Sequence, residues 1–511
     1  CRVSGAPDHP RLFVEKQWGL VKKRRLVRVS GISPPINLQA FNNDINTLER
    51  AVKERVFYVK DRNGNFVAPP RPGPGIFAYR LAATKQLLSR FLPRVAPLSS
   101  RDFVETFRGR KRKIYEAAYT TLLGKSLVVK DSHVKVFVKY EKTDFTRKTD
   151  PVPRVISPRS PRYNISVGRF LRRIEERIFI SLSRLFGDHV VVFKGMNALD
   201  SGRRMREKWD MFRRPVAVGL DASRFDQHVS IPALKWEHDV YVSCFPVSKD
   251  KRALAQLLRM QLRNKCKGYT EDGKLEYETD GGRMSGDMNT SLGNTMLMCS
   301  MIHAYALHKG IRVQLANNGD DCIVFMESDD YPHFSNGLDE WFVAMGFSMA
   351  VEPPCYTFEE IEFCQTHPVF VGPGHQDYLM VRHPKYAIAK DTVCVHGWQS
   401  LGMYQGWLHA VGVGGLAMTG GIPIFQDFYT KFISSGKFRK SASSLQSWGV
   451  RQLSRGMTRR YSEVSAATRA SFYWAFGVTP DEQITLERYY RSVKLGERLL
   501  PELAYQTLMP L

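Results

Sequence analysis

The part of the chain that most restricts its fold lies between residues 311 and 326. Ile311, Val313 and Leu315 alternate with other residues, Asn318-Gly319 follows, and Cys322 to Met326 is an unbroken apolar run. Alternation at a period of two marks a strand, and Asn-Gly between two strand-like runs predicts a tight antiparallel hairpin. Asp320 and Asp321 sit side by side at that turn, and a further apolar run, Val216 to Leu220, ends in Asp221. Carboxylates gathered at the ends of buried strands repel one another and rise in pKa unless a cation compensates. Mg²⁺ does so with a few carboxylates, water and phosphate oxygens. Two such ions, about 3.5–4 Å apart, activate a hydroxyl and stabilise a leaving pyrophosphate. For the Gly-Asp-Asp tripeptide alone, a solvated turn is the simpler reading, so its surroundings decide.

Those surroundings are strongly basic. The chain has 511 residues, enough for about three domain-sized units, and its 43% apolar content is that of an ordinary globular protein. Lys and Arg number 75 against 50 Asp and Glu, a formal charge of +25. Residues 1–215 hold 46 basic against 19 acidic side chains, and residues 216–511 hold 29 against 31, so the whole excess lies in the first two-fifths. Such a surface suits a polyanion, either nucleic acid or an acidic membrane. The longest apolar run, Met296 to Leu307, is short and contains Ser300 and His303, which excludes a spanning helix. Eight scattered Cys without a C-x-x-C pair suit reduced thiols, and a zinc site from Cys355, Cys364 and His367 is loosely spaced. Gly124-Lys125-Ser126 resembles the end of a P-loop, but Tyr119 stands where its first Gly is required. The chain starts at Cys1 with neither an initiating Met nor a signal-peptide core, as a fragment of a longer product would.

Val134, Val136 and Val138 alternate like a strand, whereas Lys22 to Arg25 and Pro69 to Pro74 read as an arm and a linker. After Gly281 to Gly286, helical periodicity runs from Asp287 to about His308. Met288, Leu292, Met296 and Cys299 fall near one side of it, and Asp287, Thr290 and Asn294 on another. From about residue 400, Gly412, Gly414, Gly415, Gly420 and Gly421 punctuate the chain, which then reads as mostly helical. Asp481, after Pro480, opens a helix-like segment running toward Tyr505.

In their order these motifs resemble the RNA-dependent RNA polymerases of positive-strand RNA viruses, most closely the tombusvirus and carmovirus type of plants. Asp221-Ala222-Ser223-Arg224-Phe225-Asp226 matches the first palm motif, and Ser285-Gly286 with Thr290 and Asn294 the second. Asn318-Gly319-Asp320-Asp321 matches the third. Glu362 to Gln365 resembles the segment after the palm, while Lys139 to Lys142 and Pro153 to Arg159 resemble the basic fingers motif. The resemblance implies an α+β right hand with an RRM-like antiparallel palm. Residues 1–125 would be a basic N-terminal region and part of the fingers, 126–215 fingers, 216–395 palm with a fingers insertion near 240–280, and 396–511 a mostly helical thumb.

The resemblance also implies roles. Asp221 and Asp320 would bind two Mg²⁺ or Mn²⁺ ions, with Asp321 supporting them, and Asp226 and Asn294 would read the ribose 2′-hydroxyl. Ser285 and Gly286 would form a mobile loop near template and nucleotide, steadied by Thr290. Lys139, Lys142, Arg154 and Arg159 would line the access path and neutralise the triphosphate; a generic basic surface is the plainer reading of these four. Polymerases of this broad class often carry a Lys in the fourth palm motif, but Gly346 to Glu352 has none. Nothing in the sequence places Lys385 there, so the general acid stays unassigned. The implied partners are RNA template and product, ribonucleoside triphosphates, a viral auxiliary replication protein and host factors. The implied location is the host cytoplasm at membrane-associated replication sites, reached through an upstream segment or partner, as for a readthrough or frameshift product. Two rivals stand beside this reading. A reverse transcriptase shares the paired Asp but is disfavoured by Asp226 and Asn294. A non-catalytic viral RNA-binding protein would need only the basic N-terminal part.

Overall fold

The hairpin forms, one residue later than the Asn-Gly pair suggests. In the computed structural model, which describes residues 2–496 except 34, 441–450 and 452, the strands are Gln314–Asn318 and Asp321–Glu327. Asn318 pairs with Asp321, leaving Gly319 and Asp320 as a two-residue turn. The Asn317 side chain closes it, accepting from the Gly319 N–H at 3.0 Å and donating to the Gly319 carbonyl at 2.7 Å.

The hairpin belongs to a four-stranded antiparallel sheet in the order 314–318, 321–327, 215–222, 349–351. The strand Pro215–Ala222 does not stop at Asp221, because Met349 and Ala350 pair with Ala222 and Asp221 and carry it one residue further. Alternate residues go to opposite faces. Val216, Val218, Leu220, Cys322, Val324 and Met326 enter one core with helices Pro161–Leu185 and Thr290–Lys309. Ala217, Ile323 and Phe325 enter the other, with Met205 and Trp209 of helix Ala198–Trp209. A sheet covered on both faces requires the continuous apolar runs seen in the sequence.

Helix Thr290–Lys309 starts three residues after the expected Asp287, and every residue from Leu292 to Ala306 is buried. It is a two-sided core helix rather than an amphipathic one. A five-stranded sheet in the order 12–16, 273–280, 263–270, 134–138, 155–156 joins the N-terminal strand to the 263–280 hairpin and to two strands of the basic region. The expected alternation holds in Val134–Val138, which buries every second residue.

Gly412, Gly414 and Gly415 do not break the chain; they lie inside helix Leu401–Thr419. A Cβ on Gly415 would stand 2.2 Å from the Tyr429 ring, so the missing side chain is what lets helix Phe425–Ser435 approach. The last described helix, Pro480–Ser492, starts at Pro480 under a Thr479–Glu482 capping box. Of its expected extension toward Tyr505, residues 497–505 lie outside the described residues.

Candidate active site

Sheet register brings the three carboxylates together. Asp321 stands opposite Asp221 on the neighbouring strand, with Asp320 in the adjoining turn. Partial burial raises the Asp221 pKa and Asp320 adds to it. Asp321 is pushed up to about 6, chiefly by burial, with Asp221 and Asp320 contributing. Its orientation comes from the Cys364 N–H, which donates to Oδ2 at 2.8 Å. Cys364 and Gln365 both have left-handed φ, 52° and 61°, in a tight turn closed by the pairing of Phe363 with Thr366. The segment Glu362 to Gln365 thus supplies a backbone donor to the carboxylate cluster. Asp221 and Asp320 line a cleft of about 1030 Å³, while Asp321 is turned to Cys364 and does not line it.

Among the described residues no three or more His, Cys, Asp or Glu side chains converge to cage a metal ion. That disposes of the Cys355, Cys364 and His367 zinc arrangement: the His367 ring instead meets the Glu359 carbonyl at 3.1 Å and Glu362 at 3.4 Å. The carboxylate cluster does fit Mg²⁺, which is usually held by one or two carboxylates plus substrate phosphates rather than by an all-protein cage. Hard oxygen donors whose ionisation is opposed by one another are the set a dication relieves.

Asp226 and Asn294 meet directly. Asn294 Nδ2 donates to Asp226 Oδ1 at 2.8 Å, and Asn294 Oδ1 accepts from Arg283 Nε at 2.9 Å. Arg283 in turn donates to both Glu237 oxygens at 3.0 and 2.6 Å, and both side chains are 0% exposed. Glu237 is completed by the Tyr241 hydroxyl at 2.6 Å and Asn289 Nδ2 at 3.0 Å. With its oxygen bound to Arg283, Asn294 can turn only its NH₂ toward Asp226. Burial raises the Asp226 pKa, and the Asn294 bond opposes the rise.

The loop before helix Thr290–Lys309 is stitched to the basic segment. Ser285 Oγ accepts from the Ser157 N–H at 3.0 Å, and Thr290 Oγ1 donates to the Met284 carbonyl at 2.7 Å. A Cβ on Gly286 would come within 2.6 Å of Pro158 Cα. Of the four expected cations, Lys139 and Arg154 line the cleft and share Glu141 at 3.0 and 3.2 Å. The other two do not line it. Lys142 is half-buried with its Nζ donating to the Lys390 carbonyl at 2.6 Å. Arg159 is buried against Asp287, the Ser132 carbonyl and Asn264, a brace for the 284–290 loop rather than a free cation.

Further charged side chains line the cleft or flank the carboxylates. Lys194 donates to Asn318 Oδ1 at 3.1 Å; burial lowers its pKa and nearby Asp320 opposes that. Arg55, Arg71 and Arg224 also line the cleft, and burial together with Arg224 and Arg154 pushes the Arg55 pKa down to about 10. Glu352, packed against Gly219, is pushed up to about 7 by burial and by Glu362, Asp321 and Asp221. Only the charge excess of the first 215 residues hinted at Arg55, Arg71 and Lys194, whereas Arg224 lies inside the Asp221 to Asp226 motif.

Comparison with known proteins gives the family. Residues 12–498 match the family described as viral RNA dependent RNA polymerase. The chain is 53% identical to the RNA-directed RNA polymerase of Oat chlorotic stunt virus (isolate United Kingdom), covering 98% of this chain and 68% of that protein. It is 42% identical to that of Tobacco necrosis virus (strain A), covering 98% and 68%, and 40% identical to that of Turnip crinkle virus, covering 96% and 62%. The chain therefore belongs to the viral RNA-dependent RNA polymerase family, as an RNA-directed RNA polymerase of a plant positive-strand RNA virus.

Proposed function

We propose that Asp221, Asp320 and Asp321 form the reacting end of the cleft, where ribonucleoside monophosphates are transferred from triphosphates to a growing RNA strand. The observation that carries this reading is the register placing Asp321 opposite Asp221 beside the Asp320 turn. Two Mg²⁺ or Mn²⁺ ions, when bound, supply Lewis-acid stabilisation of the attacking and leaving oxygens. Asp221 and Asp320 would hold them, and Asp321, fixed by Cys364, would orient the cluster from behind. Asp226 Oδ2, which accepts no other side-chain hydrogen bond among the described residues, is the acceptor for a ribose 2′-hydroxyl, with Asn294 beside it. Lys139 and Arg154 draw the triphosphate in, helped by Arg55 and Lys194. The Ser285-Gly286 loop and Thr290 set the floor on which the nucleotide rests.

A right-hand division supports this placement. The four-stranded sheet falls within 216–395 but for its first residue, as a palm would. The 263–280 hairpin falls within the expected 240–280 insertion, and the described part of 396–511 is mostly helical. No helix among the described residues is long and apolar enough to cross a membrane, so attachment to host replication membranes would come from an upstream segment or a viral or host partner.

Primed and primer-free RNA synthesis by the purified chain, with metals varied, tests the assignment. Asp221→Ala and Asp320→Ala should each abolish metal-dependent extension while RNA binding survives. Full synthesis by the Asp320→Ala chain would overturn it, as would preferential incorporation of deoxynucleotides.

A further inference from the structure

A second recess lies outside the catalytic cleft and shares no lining residue with it. It measures about 610 Å³, and its walls come from residues 21–24, Asn43, Tyr140, residues 269–271 and His396. The Lys22 to Arg25 run, which reads as an arm in the sequence, is pinned along it. The Arg24 N–H donates to Asn42 Oδ1 at 2.8 Å, and its guanidinium donates to the Val138 carbonyl at 2.7 Å while lying 4.9 Å over the Tyr140 ring. The Tyr140 hydroxyl donates to the Arg25 carbonyl at 2.9 Å, and the Lys22 N–H to Glu271 Oε2 at 3.1 Å.

Pinning the backbone leaves Lys22 and Lys23 exposed, and neither forms an ion pair among the described residues. Asn43 uses its Oδ1 to accept the Val138 N–H at 2.9 Å, which leaves its NH₂ as a further donor. Against these donors stands one carboxylate, Glu271, with an oxygen already engaged. Tyr140 and His396 form an edge-to-face ring pair at 5.9 Å, and Tyr269 is 59% exposed. Unpaired cations beside exposed aromatic faces, in a recess of nucleotide size, are the chemistry that recognises a base joined to phosphate.

We propose that this recess binds a nucleoside phosphate, with phosphate on Lys22 and Lys23 and the base against Tyr269. The ligand is either one unit of a single-stranded RNA or a free nucleoside triphosphate. Lys139 lines the cleft and Tyr140 the recess, so consecutive residues of one segment serve the two sites. An acidic membrane is the rival occupant, because Trp18 and Leu20 nearby in the chain are 89% and 81% exposed. A walled recess suits a nucleotide better than a flat bilayer surface.

The experiment irradiates the whole chain with a phosphorylated oligoribonucleotide carrying thiouridine, or with azido-ATP, and maps the labelled peptides. Labelling of the Tyr140 or Tyr269 peptide by the oligonucleotide alone identifies a strand site. Labelling there by azido-ATP identifies a free-nucleotide site, and either result supports the proposal. Replacing Lys22 and Lys23 together by Ala, or Tyr269→Ala, should lower that labelling at least about ten-fold, while primed extension in the cleft is unchanged. Labels confined to cleft peptides, or labelling that survives both sets of changes, would overturn it. So would flotation with phosphatidylserine vesicles that depends on the two lysines when the recess takes no label.

Discussion

At the scale of single residues, Asp321 and Arg283 make the sharpest claims. Asp321 is held at about 6 against an ordinary 3.8. A carboxyl raised in the folded state ionises first in the unfolded chain, so stability falls as pH climbs from about 4 to about 6 and stays lower above. Without metal, Asp321→Asn should therefore melt about 2–4 °C above the parent chain at neutral pH, with the gap closing near pH 4. Equal melting at both pH values would refute the shift. Divalent-metal binding should likewise weaken at acid pH, because burial and the neighbouring Asp320 raise the Asp221 carboxyl and favour its protonated form. Arg283→Lys keeps a charge facing Glu237 but removes the Nε–H that fixes the Asn294 amide. Preference for ribo- over deoxynucleotides should fall about ten-fold, the worth of one hydrogen bond near 1.4 kcal/mol. An equal loss of rate with both nucleotide sets would mean that Arg283 only supports the fold. Neither residue's setting was legible in the chain: Asp321 looks like Asp320, and Arg283 looks like any basic residue near a Gly pair.

At the scale of elements, periodicity located strands well and helix edges less well. The strand at 134–138 and the 314–327 hairpin follow from alternation and turn chemistry. Helix Thr290–Lys309 was expected from Asp287, but Asp287 is drawn off by the buried Arg159, a partner 128 residues away. Gly412 and Gly415 read as punctuation in the sequence and form a contact surface against helix Phe425–Ser435. Gly415→Ala should accordingly destabilise the fold by about 1–3 kcal/mol through overpacking against Tyr429, measured by denaturant unfolding. A neutral or stabilising effect, as helix propensity alone would give, would show that the two helices can separate without cost.

Across the whole molecule, charge and chemistry divide by position in the chain. The basic first two-fifths lines the cleft with Arg55, Arg71, Lys139, Arg154 and Lys194, while the remainder provides the carboxylates. RNA affinity should fall about 10³-fold or more between 50 and 200 mM salt if six or more phosphates are contacted, with a slope unaffected by Asp320→Ala. A shallow slope would place the basic excess away from RNA. From the sequence alone came the family, the paired carboxylates, the hairpin that presents them and the Asp226 and Asn294 pair, because each rests on local spacing, turn chemistry or periodicity. Tertiary structure alone decided that Lys142 is engaged by the Lys390 carbonyl and Arg159 is a buried brace, that Cys364 orients Asp321, that Arg283 locks Asn294, and that Lys22 and Lys23 edge a separate recess. Those outcomes depend on which distant segments meet and how much water is excluded where they do, and neither quantity is written in the spacing of residues along a chain.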